Sequence, residues 1–319
     1  MLRSCPRLLV PRSPPPYPVA RRARSPPVPP PTPSPFPMPE LGGRGVVVTG
    51  AASGIGEALA HALAARGAKL LLADVDAARL AAVVEALRAT GASCEAMACD
   101  VADPVTAPAL AARAIALWGG ADVVVNNAGV ALVGPVATLP EDDARWLMDI
   151  NFWGVVRGCR AFTPQLTGRP GATLVNVSSV FAFVAPPTQS MYAASKAAVR
   201  AFSDVLREEL RDAGIRVLTV HPGGIRTRIV ESARVVDLSV AASSKTALDA
   251  QFRRTARTTA AQAAQAIVRA IERDDTRLLI GVDARLGDWM FRLFPARASA
   301  WFAALAKRAR AASDRASGS

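Results

Sequence analysis

The stretch Val46-Val-Val-Thr-Gly-Ala-Ala-Ser-Gly-Ile-Gly56 narrows the choice of fold more than any other part of the chain. Its β-branched residues lead into glycines at 50, 54 and 56, and these lead into the alanine-rich, helix-forming Glu57-Ala-Leu-Ala-His-Ala-Leu. A strand that turns through glycines straight into a helix opens a parallel strand-helix-strand unit. It also aims the N–H groups and the positive dipole end of the helix at one spot, where a pyrophosphate can be held. Gly50 is expected to permit the turn. Gly54, flanked by Ser53 and Ile55, lets backbone approach the phosphates, and Gly56 lets the helix pack closely on the sheet. The spacing is G-x-x-x-G-x-G rather than the commoner G-x-G-x-x-G.

The rest of the chain repeats that alternation. Short apolar runs near 45–49, 69–73, 93–98, 121–126, 172–178, 215–220 and 277–282 read as strands, and the segments near 54–66, 76–89, 104–118, 141–168, 191–213 and 259–273 read as helices. The predicted fold is α/β: a single-domain Rossmann fold over 42–282, with a doubly wound parallel seven-stranded sheet and helices on both faces. Half of the chain is hydrophobic (51%), enough for a sizeable core. Ligands of such a sheet sit at the carboxyl ends of its strands. In the helix carrying Tyr192, residues Val199, Phe202, Leu206 and Leu210 are predicted to form the buried face, with Gly214 as its C-terminal stop.

The second strand, Lys69-Leu-Leu-Leu-Ala-Asp74, ends in an acid. A carboxylate there accepts hydrogen bonds from both adenosine ribose hydroxyls and repels a 2′-phosphate, which favours NAD over NADP. With serine at 53, the glycine turn offers no arginine to such a phosphate. Farther on, Tyr192 and Lys196 stand four residues apart in Ser190-Met-Tyr-Ala-Ala-Ser-Lys, one helical turn, so an ammonium lies beside a phenol. A fixed positive charge should lower the phenol from its ordinary pKa of ~10 toward neutrality. Such a tyrosine can exchange a proton with an alcohol or ketone. The spacing alone is common on helices and gains meaning only beside the glycine turn.

With these motifs in order, the chain resembles the short-chain dehydrogenase/reductase family over roughly 42–282. The resemblance rests on Thr49-Gly50-x-x-x-Gly54-x-Gly56, Asp100-Val101, Asn126-Asn-Ala-Gly129, Asn151, Ser179, Tyr192, Lys196, and Pro222-Gly223 followed by Ile225 and Thr227. It implies that Tyr192 is the general acid/base, that Ser179 bonds the substrate oxygen, and that Lys196 tunes the tyrosine and holds the nicotinamide ribose. Asn151 would anchor a water that passes the proton to solvent. By the same resemblance Asp100 and Val101 meet the adenine, Asn127, Ala128 and Gly129 support it, and Pro222, Gly223, Ile225 and Thr227 flank the nicotinamide. The family also implies a homodimer or homotetramer through the helices at 141–168 and 191–213.

Residues 1–39 are different in kind. They hold fifteen prolines, six arginines and no acid, so neither helix nor packed core is expected. Three readings compete: a presequence, a polyproline ligand, or, preferred here, a translation start at Met38 rather than Met1. Without those arginines the net charge of +12 falls to +6, and the core lacks the basic, aromatic-interleaved face of a nucleic-acid binder. The segment 283–319 is predicted to be an amphipathic aromatic and basic helix with Trp289, Phe291, Phe294, Trp301 and Phe302, too interrupted by Arg292, Pro295 and Arg297 to span a membrane. A surface-lying membrane helix, a flap over the substrate pocket, and a helix docked on the protein itself are all compatible with it. Cys5, Cys94, Cys99 and Cys159 form no C-x-x-C pair and only His61 and His221 accompany them, so no metal is expected, and with no signal-peptide apolar stretch visible the expectation is reduced thiols in the cytoplasm.

These readings converge on an NAD(H)-linked alcohol dehydrogenase or carbonyl reductase. The apolar Phe183, Val184 and Met191 near Tyr192 point to a hydrophobic secondary alcohol or ketone. The alternatives are a non-catalytic dinucleotide sensor, a membrane-surface-associated dehydrogenase of a lipid, steroid or retinoid type, and an epimerase or dehydratase sharing Y-x-x-x-K.

Overall fold

The computed structural model describes residues 40–236 and 256–305, together with Thr246, Asp249, Ala250 and Phe252. The proline-rich tail with Met38, most of the variable segment after Val236, and Lys307, Arg308, Arg310 and Arg315 lie outside the described residues.

In chain order the elements are β1 (Gly45–Thr49), α1 (Gly54–Ala64), β2 (Lys69–Asp74), α2 (Ala77–Ala89), β3 (Cys94–Ala98), α3 (Thr106–Trp118), β4 (Val123–Asn126), β5 (Leu132–Val133), α4 (Glu141–Met148), α5 (Gly154–Leu166), β6 (Thr173–Val177), α6 (Ser190–Glu209), β7 (Arg216–Pro222), β8 (Ile225–Arg226), β9 (Arg234–Val235), β10 (Thr258–Thr259), α7 (Ala260–Glu272), β11 (Arg277–Ile280) and α8 (Val282–Leu293). A further helical stretch covers 298–305. Seven strands form one parallel sheet in the order β11-β7-β6-β4-β1-β2-β3. The order reverses between β1 and β4, and there the carboxyl ends open a crevice. Short pairs β8–β10 and β5–β9 lie beyond those ends.

Strand alternation builds two core layers. Val46, Val48, Leu70, Leu72, Val123 and Val125 turn to one face, against α1, α2 and α7. Val47, Leu71, Val124 and Leu174 turn to the other, against α3, α5 and α6. Side chains buried this fully contribute about 1.5–3 kcal/mol each, so these valines and leucines dominate the fold's stability. The predicted face of α6 is found there, with Val199 and Leu206 buried and Phe202 and Leu210 packed alongside.

Two helices depart from expectation. The helix predicted over 141–168 is interrupted by a π-turn at Asp149–Trp153, with Asn151 inside it. Helix α6 ends at Glu209 rather than near 213, and the chain turns through Arg211 to Gly214, whose φ of 71° reverses it into β7.

A third cluster covers the far end of the sheet. Ala284, Met290 and Ala298 pack on Val180, Phe183 and Val184, with Phe181, Leu279, Phe291 and Phe302 around them. The inner side of the C-terminal segment is therefore docked on the protein itself. No helix among the described residues is long and apolar enough to cross a membrane.

Candidate active site

Every motif residue singled out lies at a strand's carboxyl end or on the helix beside it. After β1 the chain turns through Gly50 at φ 65° and enters α1. A side chain on Gly56 would run into the Gly50 carbonyl oxygen, so glycine is what lets the helix seat against the turn. Ser53 occupies the N-cap position without making a side-chain cap bond to the first turn of α1. Those amides are left for an anion, which fits a pyrophosphate. Thr227 closes over the loop, its Cβ and Cγ2 within 3.2 Å of where a Gly54 side chain would begin.

The two oxygens of Asp74 accept from Ala52 N at 2.9 Å and Asp76 N at 3.0 Å. Asp100, after β3, accepts from Ala102 N at 2.9 Å. Val101 packs under Gly154, the first residue of α5. Asn127 donates from its side chain to the carbonyls of Thr49 and Gly50, while Thr49 Oγ1 accepts from both Asn127 N and Ala128 N at 3.1 Å. The segment after β4 is thereby strapped to the glycine turn. Pro222 ends β7, Gly223 N donates to Ile280 O, and Ile225 is buried in β8.

The polar side chains of Asn151 and Lys196 meet beside Gly129. Asn151 is fully buried. Its Oδ1 accepts from Val130 N at 2.8 Å, and its Nδ2 donates to Val130 O at 3.0 Å and Ser195 Oγ at 3.1 Å. A side chain on Gly129 would come within 3.2 Å of both Asn151 Oδ1 and Lys196 Nζ. Lys196, also buried, donates to Val177 O at 3.0 Å, and its Nζ is 5.9 Å from the Tyr192 ring centroid. Ser179 accepts from Phe181 N at 3.1 Å and hydrogen-bonds the Tyr192 phenol.

The electrostatics run against the spacing argument. Burial pushes the Tyr192 phenol up to about 12, with the Ser179 hydrogen bond pulling the other way, and burial pushes Lys196 down to about 8. The expected fall of the tyrosine pKa is thus corrected for this state of the protein: loss of water raises it and outweighs the Ser179 hydrogen bond.

Comparison with known proteins decides the family. The model "short chain dehydrogenase" matches residues 44–237. The putative oxidoreductase SadH of Mycobacterium tuberculosis is 38% identical over 253 residues, 79% of this chain and 91% of that protein. A 1-deoxy-11-beta-hydroxypentalenate dehydrogenase of Streptomyces avermitilis is 43% identical over 187 residues, 57% of this chain and 68% of that protein. Among solved structures, a short-chain dehydrogenase/reductase from Burkholderia phymatum in complex with NAD superposes with a TM-score of 0.72 at 32% identity, covering 80% of this chain and 96% of that one. The chain belongs to the short-chain dehydrogenases.

As a short-chain dehydrogenase/reductase it is an oxidoreductase acting on CH–OH groups with a nicotinamide dinucleotide as cofactor. One residue of this short-chain dehydrogenase sits otherwise than expected. Phe183, read as substrate-facing with Met191, is buried in the third cluster. Its ring lies 4.8 Å from His221, 5.8 Å from Phe291 and 4.8 Å from the Arg277 guanidinium. Phe181, two residues earlier, stands edge-on to Tyr192 at 5.9 Å and 89°. The 3-10 turn Val180–Ala182 sends the two phenylalanines different ways. His221 is buried, with Nδ1 3.4 Å from Ser179 O, and burial together with Arg277 lowers it to about 4.

Sequence reasoning missed Ser195, which links Asn151 to the Tyr192 carbonyl, and Asp283, which accepts from Gly224 N and ties α8 to the end of β7. An acid in a helix's first turn was the available signal for Asp283. Ser195 gave none beyond its place between Tyr192 and Lys196.

Proposed function

We propose that the protein is an NAD(H)-linked alcohol dehydrogenase or carbonyl reductase for a hydrophobic secondary alcohol and its ketone, with Tyr192 as general acid/base. The observation that carries this is the phenol of Tyr192, half-buried, hydrogen-bonded to Ser179 and one helical turn from the buried Lys196. In alcohol oxidation the hydroxyl proton goes to the Tyr192 phenolate while the carbinol C–H bond breaks with its electron pair. NAD, when bound, supplies the hydride acceptor. Ser179 holds the substrate oxygen as charge develops on it. The Lys196 ammonium favours the phenolate and bonds the nicotinamide ribose. Asn151 has its side chain committed to Val130 and Ser195, so its part in releasing the proton falls to the backbone of the π-turn that it fixes.

Gly50, Ser53, Gly54, Ile55 and Gly56 cradle the pyrophosphate, Asp100, Val101, Asn127, Ala128 and Gly129 the adenine side, and Pro222, Gly223, Ile225 and Thr227 the nicotinamide. Asp74 takes the ribose hydroxyls. Each of its oxygens accepts one backbone amide, and an ionised carboxylate has further lone pairs to offer, which favours NAD over NADP. Phe181 and Met191 form the apolar wall. Exposed Trp153, beside α5, and Val205, on α6, support assembly into a homodimer or homotetramer, and the free thiols of Cys94, Cys99 and Cys159 suit the cytoplasm. The test is NADH formation on a panel of apolar secondary alcohols, with NADP in parallel. Turnover with NAD that Tyr192→Phe lowers at least ~100-fold supports the reading. NADH binding with no turnover in either direction would favour the sensor instead.

A membrane-surface contact is a second reading, carried by the outer face of the C-terminal segment. Val282, Leu286, Trp289 and Leu293 are exposed at helical spacing on α8, continued by Phe294, Trp301 and Leu305, with Arg285, Arg292 and Arg297 alongside. Sedimentation with anionic-lipid vesicles, reduced in Trp289→Ser/Leu293→Ser, is the expected result. No sedimentation of the unaltered protein removes this reading.

A further inference from the structure

Resting on the assignment of Tyr192 as the acid/base, we propose that Phe302 is a positioning and specificity-determining residue. The C-terminal segment is a built-in wall of the substrate site, acting on Tyr192 through Phe181. The three rings form a continuous edge-to-face stack: Phe302 meets Phe181 at 6.2 Å and 81°, and Phe181 meets Tyr192 at 5.9 Å and 89°. These are favoured geometries for aromatic pairs, so the stack resists sliding.

Phe181 is held from its other side as well. Its amide donates to Ser179 Oγ, so the ring that touches Tyr192 and the hydroxyl that bonds Tyr192 are fixed by one short turn. What seats the wall on that turn is Gly287. A Cβ there would lie 2.8 Å from Val180 Cγ2 and 2.9 Å from Val184 Cγ2, so α8 touches the turn at a point where no side chain fits. Ala284 and Ala298, both fully buried in the same cluster, continue the close contact. Asp283, bonded to Gly224 N, anchors the start of α8. Phe302 and α8 lie beyond residues 44–237, the part of the chain that the family model matches. A substrate carrying an apolar group on the Phe181 side is pressed against Tyr192 by the wall; a small alcohol makes little use of it.

The test compares wild type, Phe302→Ala, Phe302→Leu and the exposed-site control Ser299→Ala. Two alcohols are used, isopropanol and a phenyl-substituted secondary alcohol, and NADH binding is followed by fluorescence. Phe302→Ala should lower kcat/KM for the phenyl alcohol by about tenfold, change isopropanol by no more than about twofold, and leave NADH affinity unaltered. Phe302→Leu should restore most of the loss. A second readout needs no turnover. The chain has two tyrosines, Tyr17 and Tyr192, so 3-fluorotyrosine in a Tyr17→Phe background gives a fluorine NMR resonance from Tyr192 alone. That resonance should move in Phe302→Ala and not in Ser299→Ala. An unmoved resonance, or equal losses for both alcohols, overturns the proposal. A wild type inactive on both alcohols counts against the assigned reaction, and the resonance then decides the wall by itself.

Discussion

The amide of Ala52 donates to Asp74 Oδ2 across 2.9 Å, so the tip of β2 and the glycine turn after β1 are tied to each other before any ligand arrives. The carboxylate is thereby aimed, and it is the same group expected to receive the ribose hydroxyls. Asp74→Ala removes the aim, the hydroxyl acceptor and the charge that repels a 2′-phosphate. The expected outcome is a fall of at least ~10-fold in kcat/KM with NAD and a gain with NADP, since a lost charge-assisted hydrogen bond is worth about 1.5–3 kcal/mol. Steady-state kinetics with both cofactors checks it.

Lys196 and Tyr192 pull the pH dependence in a definite direction. With the phenol at about 12, little phenolate exists at neutral pH, so alcohol oxidation should rise as pH rises and ketone reduction should fall. The lysine has its own signature. Its folded pKa of about 8 lies below its ordinary 10.5, so between these values the unfolded chain binds more protons and stability climbs with pH. Below about 8 the buried ammonium is a standing cost. Lys196→Met should therefore abolish turnover while leaving the melting temperature at pH 7 equal or higher. Calorimetry of the two proteins against pH, alongside pH–rate profiles of wild type in both directions, tests the pair of statements.

His221 sets an acid limit. Burial, the main cause, and then Arg277 hold it near 4, with Arg200 adding to this and the Ser179 carbonyl and Asp204 opposing. An unfolded histidine takes its proton near 6.5, so stability is lost as pH falls from about 6.5 to about 4 and the deficit is complete below that. The loss amounts to roughly 2–4 kcal/mol. Urea midpoints measured across this range should decline in wild type and flatten in His221→Gln. Parallel declines would refute the assignment.

How much of this was legible in the sequence depended on how local each cause is. The glycine turn, Asp74 and the order of strands follow from neighbours in the chain, and the structure reproduces them. Asn151 was half legible. An asparagine among Asp149, Ile150, Phe152 and Trp153 disfavours an α-helix, but that the helix answers with a π-turn depends on Val130 and Ser195, which lie far away in sequence. The tyrosine pKa was not legible, because four-residue spacing fixes which side chains are neighbours and says nothing of how much water the fold removes. Phe183, read as substrate-facing, is buried for a similar reason. Apolar character marked the segment, and a three-residue 3-10 turn chose which ring meets Tyr192.

The seating of α8 on the turn after β6, through the missing side chain of Gly287, has a consequence for the order in which a newborn chain becomes an enzyme. As the chain leaves the ribosome, the dinucleotide cradle, Ser179, Tyr192 and Lys196 emerge before the residues that brace Phe181. On the proposal made above, a product that stops before Phe302 would carry the cradle and the catalytic side chains with Phe181 unbraced, so selectivity would be acquired later in synthesis than the chemistry.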